Sequence, residues 1–179
     1  KKSVGMYAKN DATNVGDVDL QNTGTINVNN TGSAGIYANE SNATNESTGT
    51  ITSKKGSSAG IYAISTSAKN TKNKGTIEVG LAGSPEINGV GIYAEGHQNV
   101  ENNGNITLGN GQNMIGMMLD TEYYGSYYKF TQPPQTNNNG SIIISTGATS
   151  SVGFDYGYYV TGSSNEGPNG TVKVGTITI

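Results

Sequence analysis

The chain has 179 residues, a formal net charge of -3, 27 Gly and no Cys or Trp. Zero cysteine excludes disulfides and thiolate metal sites, and a basic complement supplied by lysine alone offers no stripe for nucleic acid. Hydrophobic residues are only 32% of the chain, yet charged residues are only 13%, so a thin ordered core under much polar surface is expected rather than disorder.

From the N-terminal side, Val4-Gly5-Met6-Tyr7-Ala8 is the first copy of a phrase that returns as Ala34-Gly35-Ile36-Tyr37-Ala38, Ala59-Gly60-Ile61-Tyr62-Ala63 and Val90-Gly91-Ile92-Tyr93-Ala94. Between the copies stands a second phrase, Gly24-Thr25-Ile26, then Gly49-Thr50-Ile51, Gly75-Thr76-Ile77, Gly104-Asn105-Ile106 and Gly140-Ser141-Ile142. Continuing the first column through Gly116 and Gly153 and the second through Gly170 gives six repeats whose shortest step is 25 residues, with the longer steps read as loops. Gly175-Thr176-Ile177 competes with Gly170-Thr171-Val172 for the last place in the second column. Short β-type phrases at a fixed period mark an array in which each unit stacks on the next.

Both phrases alternate with period 2, as half-buried strands do. Ala34, Ile36 and Ala38 share one face, with Gly35 and Tyr37 on the other. Ile26 with Val28, Ile77 with Val79, Ile106 with Leu108 and Ile142 with Ile144 share the apolar face of the second phrase. No segment has a 3.6-residue period, and the spacers carry turn-forming Asn, Gly, Ser and Thr. The expected fold is all-β: a parallel β-helix of about six coils at about 4.8 Å per coil, right-handed by the preference of parallel crossovers. Ile26, Ile36, Ile51, Ile61, Ile77, Ile92, Ile106 and Ile142 are expected inside. Tyr7, Tyr37, Tyr62 and Tyr93 are expected outside as a stacked ladder, interrupted later by Met118 and Asp155.

Asn22, Asn73, Asn102 and Asn138 each stand two residues before a second-phrase glycine. Two roles fit: tolerance of left-handed turn geometry, the simpler one, or a ladder of amides bonding coil to coil.

The longest insertion lies between Gly116 and Gly140, and the protruding loop is placed at 117–139. It holds Tyr123, Tyr124, Tyr127, Tyr128 and Phe130 before Pro133-Pro134, and Tyr156, Tyr158 and Tyr159 follow Gly153 one coil later. Both segments follow the same strand, so stacking puts them at one corner of the rod. Tyrosine offers a large apolar face with a polar tip, which suits glycans and protein interfaces. Tyr123, Tyr124, Tyr127, Tyr128, Phe130, Tyr158 and Tyr159 are therefore the candidate partner-binding residues, the alternative being that they fold back to cover the rod. Asp11, Asp17 and Asp19 lack the Gly-rich nonapeptide of calcium-binding β-helices and read as solvated carboxylates. His97, near Glu95 and Glu101, lacks the setting of a triad. The acids are scattered and arginine is absent, so no catalytic, cofactor or metal residues are assigned and no enzyme activity is expected.

The alternating Asn-Gly-x-Ile and Gly-Ile-Tyr-Ala phrases, clearest at Gly24 to Val28, Gly35 to Ala38, Gly49 to Ile51, Gly60 to Ala63, Gly75 to Val79 and Gly91 to Ala94, resemble the passenger repeats of large type V autotransporter adhesins, the fusobacterial outer-membrane adhesins in particular. The resemblance covers essentially the whole chain. It implies a segment of a longer passenger, displayed on a bacterial surface and anchored by a C-terminal β-barrel outside this sequence. It implies adhesion to host-cell or bacterial surface proteins or glycans, and maps no invariant site residues onto the chain. Consistent with a segment, the sequence starts inside a repeat, and no stretch reads as a leader or as the roughly 20 apolar residues of a membrane span. The competing reading is a spacer without a ligand of its own. A polysaccharide-degrading β-helix stands further off, because only the fold suggests it.

Overall fold

A computed structural model of the chain describes residues 2–10, 16–80, 86–120, 135–157, 172–173 and 176–179. Every described strand pairs in parallel, and the described residues contain no helix. Each coil runs through three faces. The tyrosine face comprises Val4–Lys9, Ala34–Asn39, the first halves of Ala59–Asn73 and Val90–Asn102, then Ile115–Asp120 and Val152–Gly157. The amide face follows, with Asp19–Asn22, Asn42–Asn45, the second halves of those two long strands, Thr136–Asn138 and Val172–Lys173. The threonine face closes the coil with Thr25–Val28, Thr50–Ser53, Thr76–Val79, Asn105–Leu108, Ser141–Ile144 and Thr176–Thr178. Short strands Glu86–Ile87, Gly111–Gln112 and Ala148–Thr149 stack beside it in the later coils. The described residues form a parallel β-helix of six coils.

The expected register holds across coils. Met6, Ile36, Ile61, Ile92, Met117 and Phe154 form one inward column, and Ile26, Ile51, Ile77, Ile106, Ile142 and Ile177 form another. All the expected interior isoleucines are fully buried except Ile26, which is half-buried in the first coil of its face. The last coil corrects the second column: Thr176 and Ile177 pair with Ser141 and Ile142, so the phrase is Gly175-Thr176-Ile177 and not Gly170-Thr171-Val172. Val172 instead pairs with Thr136 on the amide face.

The asparagines settle the second choice in favour of the ladder. The amide Nδ2 of Asn22 donates to Oδ1 of Asn45 (2.8 Å), Asn45 to Asn73 (2.9 Å), Asn73 to Asn102 (2.8 Å) and Asn102 to Asn138 (2.7 Å). Left-handed backbone is found elsewhere, at Glu40, Ser57, Asn88, Asn113 and Ser150, and at none of the ladder residues. Turn tolerance therefore does not explain them. Asn45 also belongs to the ladder although it stands four residues before Gly49, because Glu46–Thr48 lengthens that corner.

The first-phrase glycines mark where coils press closest. A Cβ on Gly60 would lie 2.7 Å from the Gly91 carbonyl oxygen and 2.7 Å from Ile77 Cγ2, and Gly35 and Gly91 repeat that geometry. Backbone cannot yield as a flexible side chain can. Gly60→Ala is expected to destabilise the chain by about 1–3 kcal/mol in urea unfolding, the usual cost of overpacking. Gly24→Ala, where nothing lies within 4 Å, is the matched control and should be near neutral. Equal effects of the two changes would contradict the close-approach account.

Candidate functional site

The tyrosine face carries the ladder that the spacing predicts. Tyr7 and Tyr37 stack at 5.4 Å between ring centroids, Tyr37 and Tyr62 at 5.1 Å, and Tyr62 and Tyr93 at 4.8 Å. Ring faces are consumed by neighbouring rings, which leaves edges and hydroxyls for other contacts. The row ends against Met118, which pairs with Tyr93, and then Asp155. This ladder is scaffold, and its hydroxyl ends form one wall of the corner beside it.

At that corner Tyr62 Oη donates to Glu95 Oε2 (3.2 Å), and Tyr93 Oη donates to Asp120 Oδ2 (3.5 Å). Glu95 and Asp120 are register partners on adjacent coils, and Glu95 is only 8% exposed. Burial raises the Glu95 pKa above the ordinary glutamate value, and the Asp120 charge raises it further against the hydrogen bonds from Tyr62 and Tyr93. Burial, then the Glu95 charge, likewise raises the hydroxyls of Tyr62 and Tyr93.

Two coils from Glu95, Glu40 accepts from Thr66 N (2.7 Å), Thr66 Oγ1 (2.7 Å), Ser65 Oγ (2.8 Å) and Ser67 Oγ (3.2 Å). Burial opposes its ionisation, but these donors outweigh burial and hold its pKa below the usual value. His97 is lowered by burial, with the Glu40 charge acting the other way. The histidine thus feels the Glu40 charge, while Glu101 pairs with Lys72 (3.4 Å).

The other acids also have plain partners: Asp17 is ion-paired to Lys69, and Asp19 accepts from Asn42 Nδ2 (2.7 Å). Asp11 lies outside the described residues. Among the described residues no group of three or more His, Asp or Glu side chains could hold a metal ion, and no helix is long and apolar enough to cross a membrane.

The candidate binding residues Tyr123, Tyr124, Tyr127, Tyr128, Phe130, Tyr158 and Tyr159 all lie outside the described residues, as does most of the 117–139 insertion. Their points of departure are described. Ile115–Asp120 and Val152–Gly157 pair in register, Asp120 opposite Gly157, so the strands that precede the two aromatic-rich segments lie on adjacent coils. Sequence reasoning missed the Glu95–Asp120 contact, because the two residues are 25 positions apart and only the coil period brings them together. Counting one coil from Glu95 would have found it.

No family model, no curated protein and no solved structure matches this chain.

The Glu95 environment sets a pH dependence of stability. Because its folded pKa lies above its unfolded value of about 4.3, its favourable contribution is fully present below that value and is lost as pH rises through the folded one. Glutamine mimics the protonated side chain at every pH. Glu95→Gln is therefore expected to raise the thermal midpoint at about pH 7 and to lose that advantage below about pH 4. A constant offset across the range would show that the carboxylate is not destabilised by its surroundings.

Proposed function

We propose that the chain is a segment of a cell-surface adhesin, a β-helical rod that presents an aromatic corner to host or bacterial surface proteins or glycans. The observation that carries this reading is the register of Ile115–Asp120 with Val152–Gly157, which brings the origins of two tyrosine-rich segments one coil apart. Aromatic side chains gathered at one edge of a rod are suited to an interaction surface. The resemblance of the two repeat phrases to type V autotransporter passengers supports the same reading. On this reading the parent protein is displayed from a bacterial outer membrane and anchored by a C-terminal β-barrel outside this sequence.

A spacer role is the competing reading. In its favour, the tyrosines stack on one another and the amides of Asn45, Asn73 and Asn102 are bonded to their neighbours on both sides, contacts that need no ligand.

Replacing residues 121–134 by a short Gly-Asn turn separates the two readings. Loops on a repeat scaffold tolerate changes of length, so the thermal midpoint should stay close to that of the parent. Binding of the labelled fragment to epithelial and bacterial cells should fall at least tenfold, the equivalent of about 1.4 kcal/mol. Undiminished binding by the truncated fragment would make the rod a spacer at this position.

A further inference from the structure

A second feature lies on the amide face, away from the aromatic corner. The outward side chains of three successive coils form a shallow open groove of about 190 Å3, lined by Asn70, Lys72, Asn99, Glu101, Gln135 and Asn137. Its floor is Val100, which is 1% exposed. The lining follows the coil register: Asn70 pairs with Asn99, Lys72 with Glu101, and Glu101 with Asn137. The groove therefore runs parallel to the rod axis and crosses one pair of polar side chains per coil.

The chemistry of the lining narrows what fits. Lys72 is matched by Glu101 across one coil, so the groove offers no net positive charge to an anion. The strand segments beneath it are hydrogen-bonded to neighbours on both sides, so no free edge is available for an added peptide strand. No aromatic or apolar side chain other than the covered Val100 lines it, which disfavours a lipid or an apolar peptide. A single carboxylate makes no cation site. What the groove does offer is a row of side-chain amides, each able to donate and accept, beside an ammonium and a carboxylate. Sugar hydroxyls also donate and accept, and adjacent hydroxyls on a ring match a carboxylate in a charge-assisted pair.

The Asn70 and Asn99 side chains are also held in place, bonded to each other and, at Asn99, to the Gln135 backbone. Asn70 N donates to Asn42 Oδ1 (2.9 Å), Asn99 Nδ2 to Asn70 Oδ1 (3.5 Å) and Gln135 N to Asn99 Oδ1 (3.0 Å). Each amide engaged this way retains a second N–H or lone pair for a ligand. Glu101 stays ionised, its pKa lowered first by a hydrogen bond from Asn103 and further by Lys72. Side chains already fixed lose little entropy on binding. The coil repeat of about 4.8 Å is comparable to the length of one pyranose ring in an extended chain, which sets one sugar against each coil.

We infer that this groove binds a neutral, linear oligosaccharide lying along the rod axis, with Asn70 and Lys72, Asn99 and Glu101, and Gln135 and Asn137 each contacting successive sugars. The inference rests on the adhesive reading of the rod, but its residues are separate from the aromatic corner.

The test is titration of the 15N-labelled chain with cellotetraose, with chitotetraose and with a sulfated heparin tetrasaccharide as comparator. The expected result is that a neutral tetrasaccharide shifts the side-chain amide signals of Asn70, Asn99, Gln135 and Asn137, and that the heparin fragment does not. Glu101→Gln and Asn137→Ala should each weaken binding about tenfold, the loss of one hydrogen bond involving a charged or pre-ordered group. Thr107→Ala on the threonine face should leave binding unchanged. Thermal midpoints of the variants should match the parent, since all three side chains lie at the surface. The inference is overturned if neither neutral sugar moves those signals, if only the sulfated one does, or if the three variants bind alike. Cell binding that depends on residues 121–134 while the groove stays silent would sink this inference alone. Sugar binding in the groove with cell binding indifferent to that truncation would sink the aromatic-corner reading alone.

Discussion

The buried side-chain amides of Asn45, Asn73 and Asn102 are each partnered by an amide from the coil above and one from the coil below, and Asn22 and Asn138 end the column. Asn45, Asn73, Asn102 and Asn138 are fully covered and Asn22 nearly so. An unpartnered amide in such a place costs about 1–3 kcal/mol, whereas one in a chain of amides is satisfied at both ends. The ladder thus converts a penalty into a specification of register. A slip of one residue would set the inward amides against outward side chains such as Thr44, Lys72 and Glu101, so stacking in any other register is disfavoured along this face. The isoleucine columns supply the apolar burial, and the amides determine which coil position meets which.

That constraint propagates outward. With register fixed, the first-phrase glycines fall opposite one another and allow backbones to approach where a methyl group would collide with a carbonyl. The tyrosines then fall in line at about the coil spacing and close ring to ring along the outer wall. Groups far apart in sequence meet at corners, as Glu95 and Asp120 do. The groove on the amide face is a product of the same rule, because its side chains are the outward neighbours of the ladder asparagines.

Much of this was legible in the sequence, for a physical reason: every coil obeys the same packing, so its requirements repeat. Period-2 alternation revealed the inward isoleucines and outward tyrosines. Less was legible where one coil departs from the others. Asn45 escaped a fixed-offset search because its corner is longer, and the last phrase was misplaced at Gly170 because Gly175 fits the same template. The asparagine role was ambiguous in sequence, since both turns and ladders favour that side chain, and only the spatial column decides. The acidic pair at the end of the tyrosine ladder left no local motif. It arises from one residue in each of two coils, and only the 25-residue step between them hints at it. The candidate aromatic residues were conspicuous by composition alone, and the described residues locate their two points of departure but not the residues themselves.

The register of the coils therefore depends on the internal amides, and their hydrogen exchange tests this most directly. Side-chain Nδ2 protons of Asn45, Asn73 and Asn102, sealed in the ladder, should exchange in deuterated buffer orders of magnitude more slowly than those of exposed asparagines such as Asn30 and Asn139, and their protection should vanish together on unfolding. Exchange of the ladder amides at the rate of the exposed ones would mean that the column does not exist in solution, and that some other interaction sets the register of the coils.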